Sequence, residues 1–269
     1  MNRSFLQLED VRLATVDFGG SGPGLLLLHG LMGRGTTWAA TAAWLTKYYH
    51  VVAIDQRGHG WSDKPDDYSN AAYVRDAASA IQKLGLEPAV VIGHSMGAVN
   101  AWVLAAQHPR LVSGLVLEDK DANLYTGARM QSWRDWFASW PVPFQSLSEV
   151  REFFNAEDSP RDGDFFSEVM REESDGYHPL FSFDHMLKSL EDWTVHDYAP
   201  LLDKVLCPTL VVKGSLSSAK ESDLKAMAAR IPNGRYALVE GAGHVVHNDQ
   251  PERWRAVVES FLAELATHA

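Results

Sequence analysis

The segment from Val90 to Ala98 constrains the fold more than any other part of the chain, because it reads Val-Val-Ile-Gly-His-Ser-Met-Gly-Ala. The apolar run predicts a buried strand, and the alanine-rich residues that follow predict a helix. Between them, Gly93 and Gly97 remove side chains that would clash in a tight turn around Ser95. Such a turn holds a serine hydroxyl above the end of a sheet. Gly-x-Ser-x-Gly alone is a weak pattern, but between a strand and a helix it indicates a nucleophilic serine.

The rest of the chain alternates short apolar runs with helical segments, which predicts a doubly wound α/β sheet. The runs are continuous, as expected for parallel strands that are buried on both faces. Residues 4–17 are expected to form a hairpin before them. The predicted strands are 24–28, 51–54, 89–92, 114–117, 209–212 and 236–239, and the predicted helices are 36–46, 71–84, 97–107, 220–230 and 251–266.

The length of 269 residues suits one large α/β domain with an insertion. We predict a core formed by residues 1–119 and 200–269, interrupted by a helical cap over residues 120–199. The cap shows helical patterns and no convincing strand.

Aromatic residues are frequent in the predicted cap. Trp133, Trp136 and Trp140 recur at i, i+3 and i+7, which places them on one face of a helix. Most aromatic residues of the cap are expected to pack it onto the core. These three tryptophans are candidates for lining a substrate pocket, because pockets for apolar ligands need large apolar side chains.

Composition excludes some classes of partner. The net charge is −11, which argues against nucleic acids and anionic membranes, since both require a basic face. Residues 1–10 lack the apolar segment of a signal peptide, and residues 25–28 are too few to span a bilayer. The single cysteine, Cys207, allows no intrachain disulfide. We expect a soluble cytoplasmic monomer or homodimer, with Arg57 and Lys120 as solvated surface charges.

His244 is the candidate base that a serine nucleophile requires. It ends a glycine-rich turn after a predicted strand near the C-terminus, so that serine, acid and histidine follow one another in an established order. His247, three residues further on, is expected to pack or to form a hydrogen bond. His29 is expected to brace its loop, and His94 to face away from a substrate.

The acid that orients the histidine is less obvious. Residues 213–220, which follow a predicted strand, are Lys-Gly-Ser-Leu-Ser-Ser-Ala-Lys and contain no carboxylate. Glu118 and Asp119 end another predicted strand, the one that follows the nucleophile helix. We predict that Asp119 is the acid. Glu118 and Asp223 remain alternatives, and Asp119 could instead be a strand-end acid that only braces a loop.

Two backbone N–H groups are candidates for stabilising an oxyanion. Met96 opens the helix after Ser95, where a helix N-terminus adds positive partial charge. Leu31 lies in the glycine-rich loop His-Gly-Leu-Met-Gly that follows an earlier predicted strand.

Together these residues resemble the α/β-hydrolase superfamily. The resemblance covers the predicted core on both sides of the insertion and misses the cap. Within the superfamily, the chain is similar to esterases whose triad acid follows the sixth strand and whose seventh strand is followed by a serine-rich loop. The motifs that carry the resemblance are His29-Gly30, Asp55-Gln-Arg-Gly-His-Gly-Trp-Ser62, Gly93-His-Ser-Met-Gly97, and Gly241-Ala-Gly-His244 with Asp249-Gln-Pro251.

The resemblance implies an α/β-hydrolase fold, with an eight-stranded, mostly parallel sheet, helices on both faces and an inserted lid. It implies no cofactor, and we expect no metal. It gives Ser95, Asp119 and His244 the roles of a catalytic triad, and Leu31 and Met96 the oxyanion hole.

The sequence thus predicts a carboxylic-ester hydrolase that acts on a small-molecule ester, with apolar or aromatic acyl groups favoured. A carbon–carbon bond hydrolase or a lactonase with the same triad is an alternative. A ligand-sensing receptor and a cofactor-free dioxygenase are alternatives of other classes. Haloalkane dehalogenases and epoxide hydrolases are set aside, because they need an aspartate where this chain has Ser95.

Overall fold

The computed structural model describes residues 1–155 and 161–268. Residues 156–160 of the predicted cap and residue 269 of the predicted core lie outside the described residues. In the described part, ten strands form an eight-stranded sheet and a separate hairpin. The strands are β1 (Asn2–Gln7), β2 (Arg12–Gly19), β3 (Gly24–Leu28), β4 (His50–Ile54), β5 (Ala89–His94), β6 (Val112–Glu118), β7 (Met170–Glu173), β8 (Gly176–Pro179), β9 (Thr209–Gly214) and β10 (Gly234–Val239).

Helices occupy most of the connections between these strands. Two 3₁₀ segments, Gly35–Trp38 and Ala199–Lys204, accompany them. The α-helices are α1 (Ala39–Leu45), α2 (Asn70–Lys83), α3 (Met96–Gln107), α4 (Gly127–Ala138), α5 (Leu147–Phe154), α6 (Asp162–Glu168), α7 (Phe183–Val195), α8 (Glu221–Arg230), α9 (Val246–Asp249) and α10 (Pro251–His268). Within the described residues, no helix is long and apolar enough to cross a membrane.

The large sheet has the order β1-β2-β4-β3-β5-β6-β9-β10. β1 and β2 form the predicted antiparallel hairpin, β2 also runs antiparallel to β4, and the remaining neighbours are parallel. Leu28, Gly93 and Leu117 lie side by side in β3, β5 and β6. Because parallel strands end at the same edge, the loops after these three strands meet there.

Each central strand is buried on both faces, as its continuous apolar run predicts. In β3, Leu26 and Leu28 belong to the core shared with α2, α3 and the segment between β6 and β9. Leu25 and Leu27 face the opposite core, which contains Trp38 and the apolar residues of α10. The sheet therefore separates two apolar layers, and its helices cover both.

The segment between β6 and β9 contains α4 to α7 and the hairpin formed by β7 and β8. The expectation that residues 120–199 contain no strand is therefore wrong. The two strands have four residues each, and their side chains are mostly exposed or half-buried. Such strands lack the run of apolar residues by which a strand is recognised in a sequence.

Arg57 and Lys120 are buried, so the expectation of solvated surface charges is wrong for both. Arg57 donates two hydrogen bonds to Asp76, of 2.7 and 2.8 Å. The ammonium of Lys120 lies 5.2 Å from the ring centres of Tyr125 and Trp193. Burial lowers the pKa of Lys120 to about 8. Arg57 is thus neutralised by Asp76, whereas Lys120 pairs with the adjacent Asp121 at 3.5 Å and donates a hydrogen bond of 2.6 Å to its carbonyl oxygen.

Candidate active site

Ser95 lies in the turn between β5 and α3, which confirms the predicted strand, turn and helix. Its backbone has φ 52° and ψ −113°, a conformation that L-residues rarely adopt. A Cβ atom on Gly97 would lie 2.2 Å from the carbonyl oxygen of Leu28, and one on Gly93 would lie 2.3 Å from that of Gly97. Only glycine fits at the two flanking positions.

Positive φ angles mark this edge of the sheet. Among the described residues, the non-glycine residues with positive φ are Met32 (69°), Ser95 (52°) and Asp119 (50°). Their loops follow β3, β5 and β6. Such backbone costs on the order of 1–3 kcal/mol per residue, so it persists only where the surroundings enforce it, and it concentrates at functional sites.

Asp119 and His244 are brought together by the fold. The Nδ1–H of His244 donates a hydrogen bond of 2.7 Å to Oδ2 of Asp119, whose side chain is fully buried. The same Oδ2 accepts a hydrogen bond of 2.5 Å from the hydroxyl of Ser217, and Oδ1 accepts one of 3.1 Å from the N–H of Gly214. The carboxylate is thereby held by three donors and faces the imidazole.

The two alternative acids have other partners. Asp223 accepts a hydrogen bond of 2.7 Å from the side-chain amide of Asn123. Glu118 accepts one of 2.8 Å from the ring of His247. Of the three candidates, Asp119 is the one whose carboxylate accepts a hydrogen bond from the ring of His244.

The imidazole of His244 is about half exposed, with 49% of its side chain accessible. Burial lowers its pKa, but the hydrogen bond and the negative charge of Asp119 raise it by more, and the net shift is upward. Because Nδ1 carries the proton that is donated to Asp119, Nε2 has the free lone pair of a neutral imidazole. That nitrogen can accept a proton from a nearby hydroxyl.

His94 connects the serine turn to the His244 loop. Its Nε2–H donates a hydrogen bond of 2.9 Å to the carbonyl oxygen of His244, and the two ring centres are 4.7 Å apart. Burial and the neighbouring His244 lower the pKa of His94 to about 3, so its ring is neutral at neutral pH. Ser95, the next residue, is therefore held beside the His244 loop.

The loop that follows β3 passes directly over the serine. A Cβ atom on Gly30 would lie 3.2 Å from the Cβ of Ser95. The buried ring of His29 accepts a hydrogen bond of 2.9 Å from the N–H of Gln56 and donates one of 2.7 Å to the carbonyl oxygen of Gly30. Burial lowers the pKa of His29, and its contacts are those of a residue that braces this loop.

The two predicted oxyanion donors belong to the two segments that meet at this serine, Leu31 to the loop after β3 and Met96 to the start of α3. Leu31 follows Gly30 and is buried. Met96 is the first residue of α3, where backbone N–H groups have no partner within the helix. That both N–H groups stabilise an oxyanion stays a prediction.

Ser217 is a site residue that the sequence does not identify. It lies in residues 215–218, the loop that lacks a carboxylate, and its hydroxyl binds Asp119 on the neighbouring strand. The serine-rich composition of this loop is the one sequence feature that points to Ser217, but composition alone does not show which serine faces the acid.

The three tryptophans pack within an aromatic cluster of the segment between β6 and β9. Trp140 is buried, with its ring centre 4.5 Å from that of Phe154. Trp133 and Trp136 are half-buried, and their ring centres are 5.4 Å apart. The cluster is part of the same apolar core as Leu31 and Met96. That the tryptophans line a substrate pocket stays a prediction.

One group in the described residues could share a metal ion, namely Glu173, Asp175 and His178, whose ligand atoms lie within 4.8 Å of one another. The two acids are exposed, His178 already bonds Asp175 at 2.9 Å, and Glu173 pairs with Arg171. These pairings account for the group without an ion.

Comparison with known proteins agrees with this architecture. A family model described as alpha/beta hydrolase fold matches residues 23–251. The crystal structure of E-2-(acetamidomethylene)succinate hydrolase superposes with a TM-score of 0.86 at 25% identity, covering 97% of this chain and 99% of that one.

Two curated relatives have named activities. The 2-(acetamidomethylene)succinate hydrolase of Mesorhizobium japonicum is 28% identical over 251 residues, which cover 90% of this chain and 89% of the relative. A putative esterase/lipase of Haemophilus influenzae is 26% identical over 246 residues, which cover 89% of this chain and 83% of the relative. The names of both relatives describe hydrolases.

Proposed function

Because the chain belongs to the α/β-hydrolase family, we propose that it is a serine hydrolase that cleaves carboxylic esters through Ser95, His244 and Asp119. The observation that carries the proposal is the hydrogen bond of 2.7 Å from His244 to the buried Asp119, in a loop that His94 holds beside the serine turn. A nucleophile, a base and an orienting acid together form the triad that carries out acyl transfer in many serine hydrolases.

The reaction follows from the roles of these groups. Nε2 of His244 takes the proton of the Ser95 hydroxyl as its oxygen attacks the ester carbonyl carbon. The N–H groups of Leu31 and Met96 stabilise the oxyanion of the tetrahedral intermediate, and each such donor is worth on the order of 3 kcal/mol. The carbon–oxygen bond to the alcohol then breaks, and His244 returns the proton to the leaving alkoxide. Water, deprotonated by His244, then attacks the acyl carbon. The bond to the Ser95 oxygen breaks, His244 returns the proton to that oxygen, and the carboxylic acid is released.

We also propose that the segment between β6 and β9 acts as the cap of this site. Its aromatic cluster continues into the apolar core that contains Leu31 and Met96. Apolar surface on the cap side of the nucleophile favours an apolar or aromatic acyl group, because burying each CH₂ group contributes about 0.8 kcal/mol.

The substrate prediction is tested with p-nitrophenyl esters of increasing acyl length. We expect kcat/KM to rise from acetate to hexanoate by up to about fourfold per CH₂ group, the equivalent of about 0.8 kcal/mol. Succinate half-esters of the same lengths serve as polar controls. Higher kcat/KM for the polar series at every length would contradict the proposed apolar acyl site.

The proposed nucleophile is tested with a fluorophosphonate and mass spectrometry of the intact and digested protein. We expect one adduct, on Ser95, with loss of ester turnover in proportion to labelling. If an ester instead modified the protein covalently once, with no further turnover, the protein would be a receptor. Oxygen consumption that survives Ser95→Ala would indicate an oxygenase.

Carbon–carbon bond hydrolysis and lactone hydrolysis use the same groups and remain the alternative reactions. The substrate panel therefore includes lactones and vinylogous diketones. It also includes 2-(acetamidomethylene)succinate, the compound in the name of the Mesorhizobium japonicum relative, whose alignment covers 90% of this chain.

Activity is expected to fall as the pH decreases through the pKa of His244, since only the neutral imidazole accepts a proton. Asp119 raises that pKa, so the acidic limb of the kcat/KM profile should lie above the ordinary histidine value of about 6.5. The profile is measured with an ester whose own ionisation is constant from pH 5 to 9. An acidic limb below the ordinary value would contradict the pairing of His244 with Asp119.

Ser217→Ala is expected to lower kcat by roughly 10-fold, because it removes one of the three donors that hold Asp119. A hydrogen bond to a charged group contributes about 1.5–3 kcal/mol, of which neighbouring groups or water recover a part. The matched control is Ser218→Ala, at the exposed next position of the same loop. Equal kcat for both variants would show that the Ser217 hydroxyl does not support the acid.

A further inference from the structure

A second histidine–carboxylate pair lies beside the first. The Nδ1–H and the backbone N–H of His247 donate hydrogen bonds of 2.8 and 3.3 Å to Oε1 of Glu118. The side chain of Glu118 is fully inaccessible, and 4% of that of His247 is exposed. Trp38 stacks on the ring of His247, with the ring centres 4.0 Å apart. This pair is buried behind the site, whereas His244 is half exposed.

The two pairs join the same two segments. Glu118 directly precedes Asp119 at the end of β6, and His247 follows His244 by three residues. Glu118 is the last residue of β6 and Asp119, with φ 50°, is the first residue beyond it, so the end of one strand provides a carboxylate for each histidine. The His244 loop is therefore attached to β6 at two points.

Glu118 also contacts the serine turn. Its carbonyl oxygen accepts a hydrogen bond of 2.9 Å from the N–H of Ser95, and it pairs with His94 across the sheet. His94 in turn bonds the carbonyl oxygen of His244. Glu118 thus contacts the turn of Ser95 and the loop of His244, and it directly precedes Asp119.

We propose that Glu118 and His247 are positioning residues, which hold the His244 loop against the end of β6 so that His244 stays aligned with both Asp119 and Ser95. The proposal rests on the function proposed above. Neither residue touches the reacting atoms; both act through His244.

The charge of Glu118 supports the same role. Burial raises the pKa of Glu118, but the charge and hydrogen bonds of His247 lower it by more, and the net shift is downward. Its Oε2 has no hydrogen-bond partner within the described part of the chain. In a medium of low dielectric constant, this partly compensated charge acts on its neighbours. It shifts the pKa of His94 upward against the larger lowering by burial, and it adds to the upward shift of the pKa of His244 after the larger effect of Asp119.

Other titratable groups face this region. Asp249 accepts a hydrogen bond of 2.8 Å from the N–H of Gly243, and the charge of Glu118 contributes to raising its pKa after the larger effect of burial. Asp119 and Asp162 both raise the pKa of His244. These groups are unchanged in a Glu118 variant. A change in the pKa of His244 in that variant is therefore caused by Glu118 and not by Asp119, Asp162 or Asp249.

The decisive variant is Glu118→Gln, which keeps the size and an oxygen acceptor for His247 but removes the charge. A neutral amide holds the His247 ring less strongly than the carboxylate does, because charge-assisted hydrogen bonds are about twice as strong as neutral ones. We therefore expect kcat on p-nitrophenyl butyrate to fall by roughly 10- to 100-fold with KM within about twofold, since a misplacement of about 1 Å costs about 100-fold. The acidic limb of kcat/KM should move to lower pH. The control is Asp76→Asn, which alters the buried pair with Arg57 and should leave that limb in place.

His247 provides a second pair of variants if Glu118→Gln does not fold. His247→Asn keeps an N–H donor close to the position of Nδ1 and should retain kcat within about threefold, whereas His247→Leu should lose roughly 10-fold or more. Retention of kcat and of the acidic limb in His247→Leu would overturn the proposal, as would an unchanged kcat and acidic limb in Glu118→Gln.

An NMR titration of the His244 ring separates this inference from the proposed function, because it needs no turnover. We expect the His244 resonance of Glu118→Gln to titrate at lower pH than that of the wild type. If the wild type hydrolyses no ester, the proposed function fails, yet the titration still decides whether Glu118 acts on His244. An unshifted titration in an active enzyme would overturn the inference and leave the function intact.

Discussion

Ser95→Ala is expected to lower kcat for p-nitrophenyl butyrate by about 10⁶-fold, because the whole acyl-transfer route depends on one oxygen atom. Alanine keeps the Cβ atom, so the strain of the positive φ at this position is nearly unchanged. The folded state should therefore survive, and the loss should appear in kcat rather than in the fraction of folded protein. Stopped-flow release of p-nitrophenol checks both the burst and the steady state.

The turnover that remains in Ser95→Ala shows whether the reaction depends on Ser95 as the nucleophile. The proposed oxyanion donors Leu31 and Met96 remain in Ser95→Ala, so a rate of roughly 10³ above the uncatalysed reaction is consistent with the proposal. A variant that keeps one-tenth of the wild-type kcat, with thermal unfolding unchanged, would exclude Ser95 as the nucleophile.

Asp119→Asn is expected to lower kcat by about 10⁴-fold, the loss known for replacing a triad aspartate. Asparagine tolerates the left-handed backbone that residue 119 adopts, with φ 50°, so the substitution tests chemistry more than folding. Its amide can donate to Nδ1 of His244, which places the proton of the imidazole on the wrong nitrogen. Loss of the negative charge should also move the acidic limb to lower pH.

Asp223→Asn is the matched control, because Asp223 is also an aspartate near the loop after β9 but binds Asn123. We expect its kcat to stay within about twofold of the wild type, as for most surface substitutions. If Asp223→Asn abolished turnover and Asp119→Asn did not, the assignment of the acid would be wrong.

The sequence predicts those parts of the site that depend on local backbone. The serine turn follows from glycines that no other residue can replace there, and the parallel strands follow from continuous apolar runs. The prediction that Asp119 is the acid depends on the absence of a carboxylate at residues 215–218. The structure gives a reason for that absence, because Ser217 approaches Asp119 from this loop.

The rest of the site depends on pairs of residues that are distant in sequence. Glu118 and His247 are 129 positions apart, and Ser217 and Asp119 are 98 apart. No periodicity or short motif links such positions, since the fold alone determines which side chains meet. For the same reason the sequence could not show that Arg57 is buried against Asp76.

The positive φ of Ser95 sets the stability of the folded chain against its proposed activity. Glycine would relieve about 1–2 kcal/mol of strain there, which exceeds its entropic penalty of about 0.5–1 kcal/mol. A laboratory evolution campaign that screened only for heat resistance is therefore expected to enrich Ser95→Gly, which lacks the proposed nucleophile. Thermostable variants of this chain have to be selected with a turnover screen in every round.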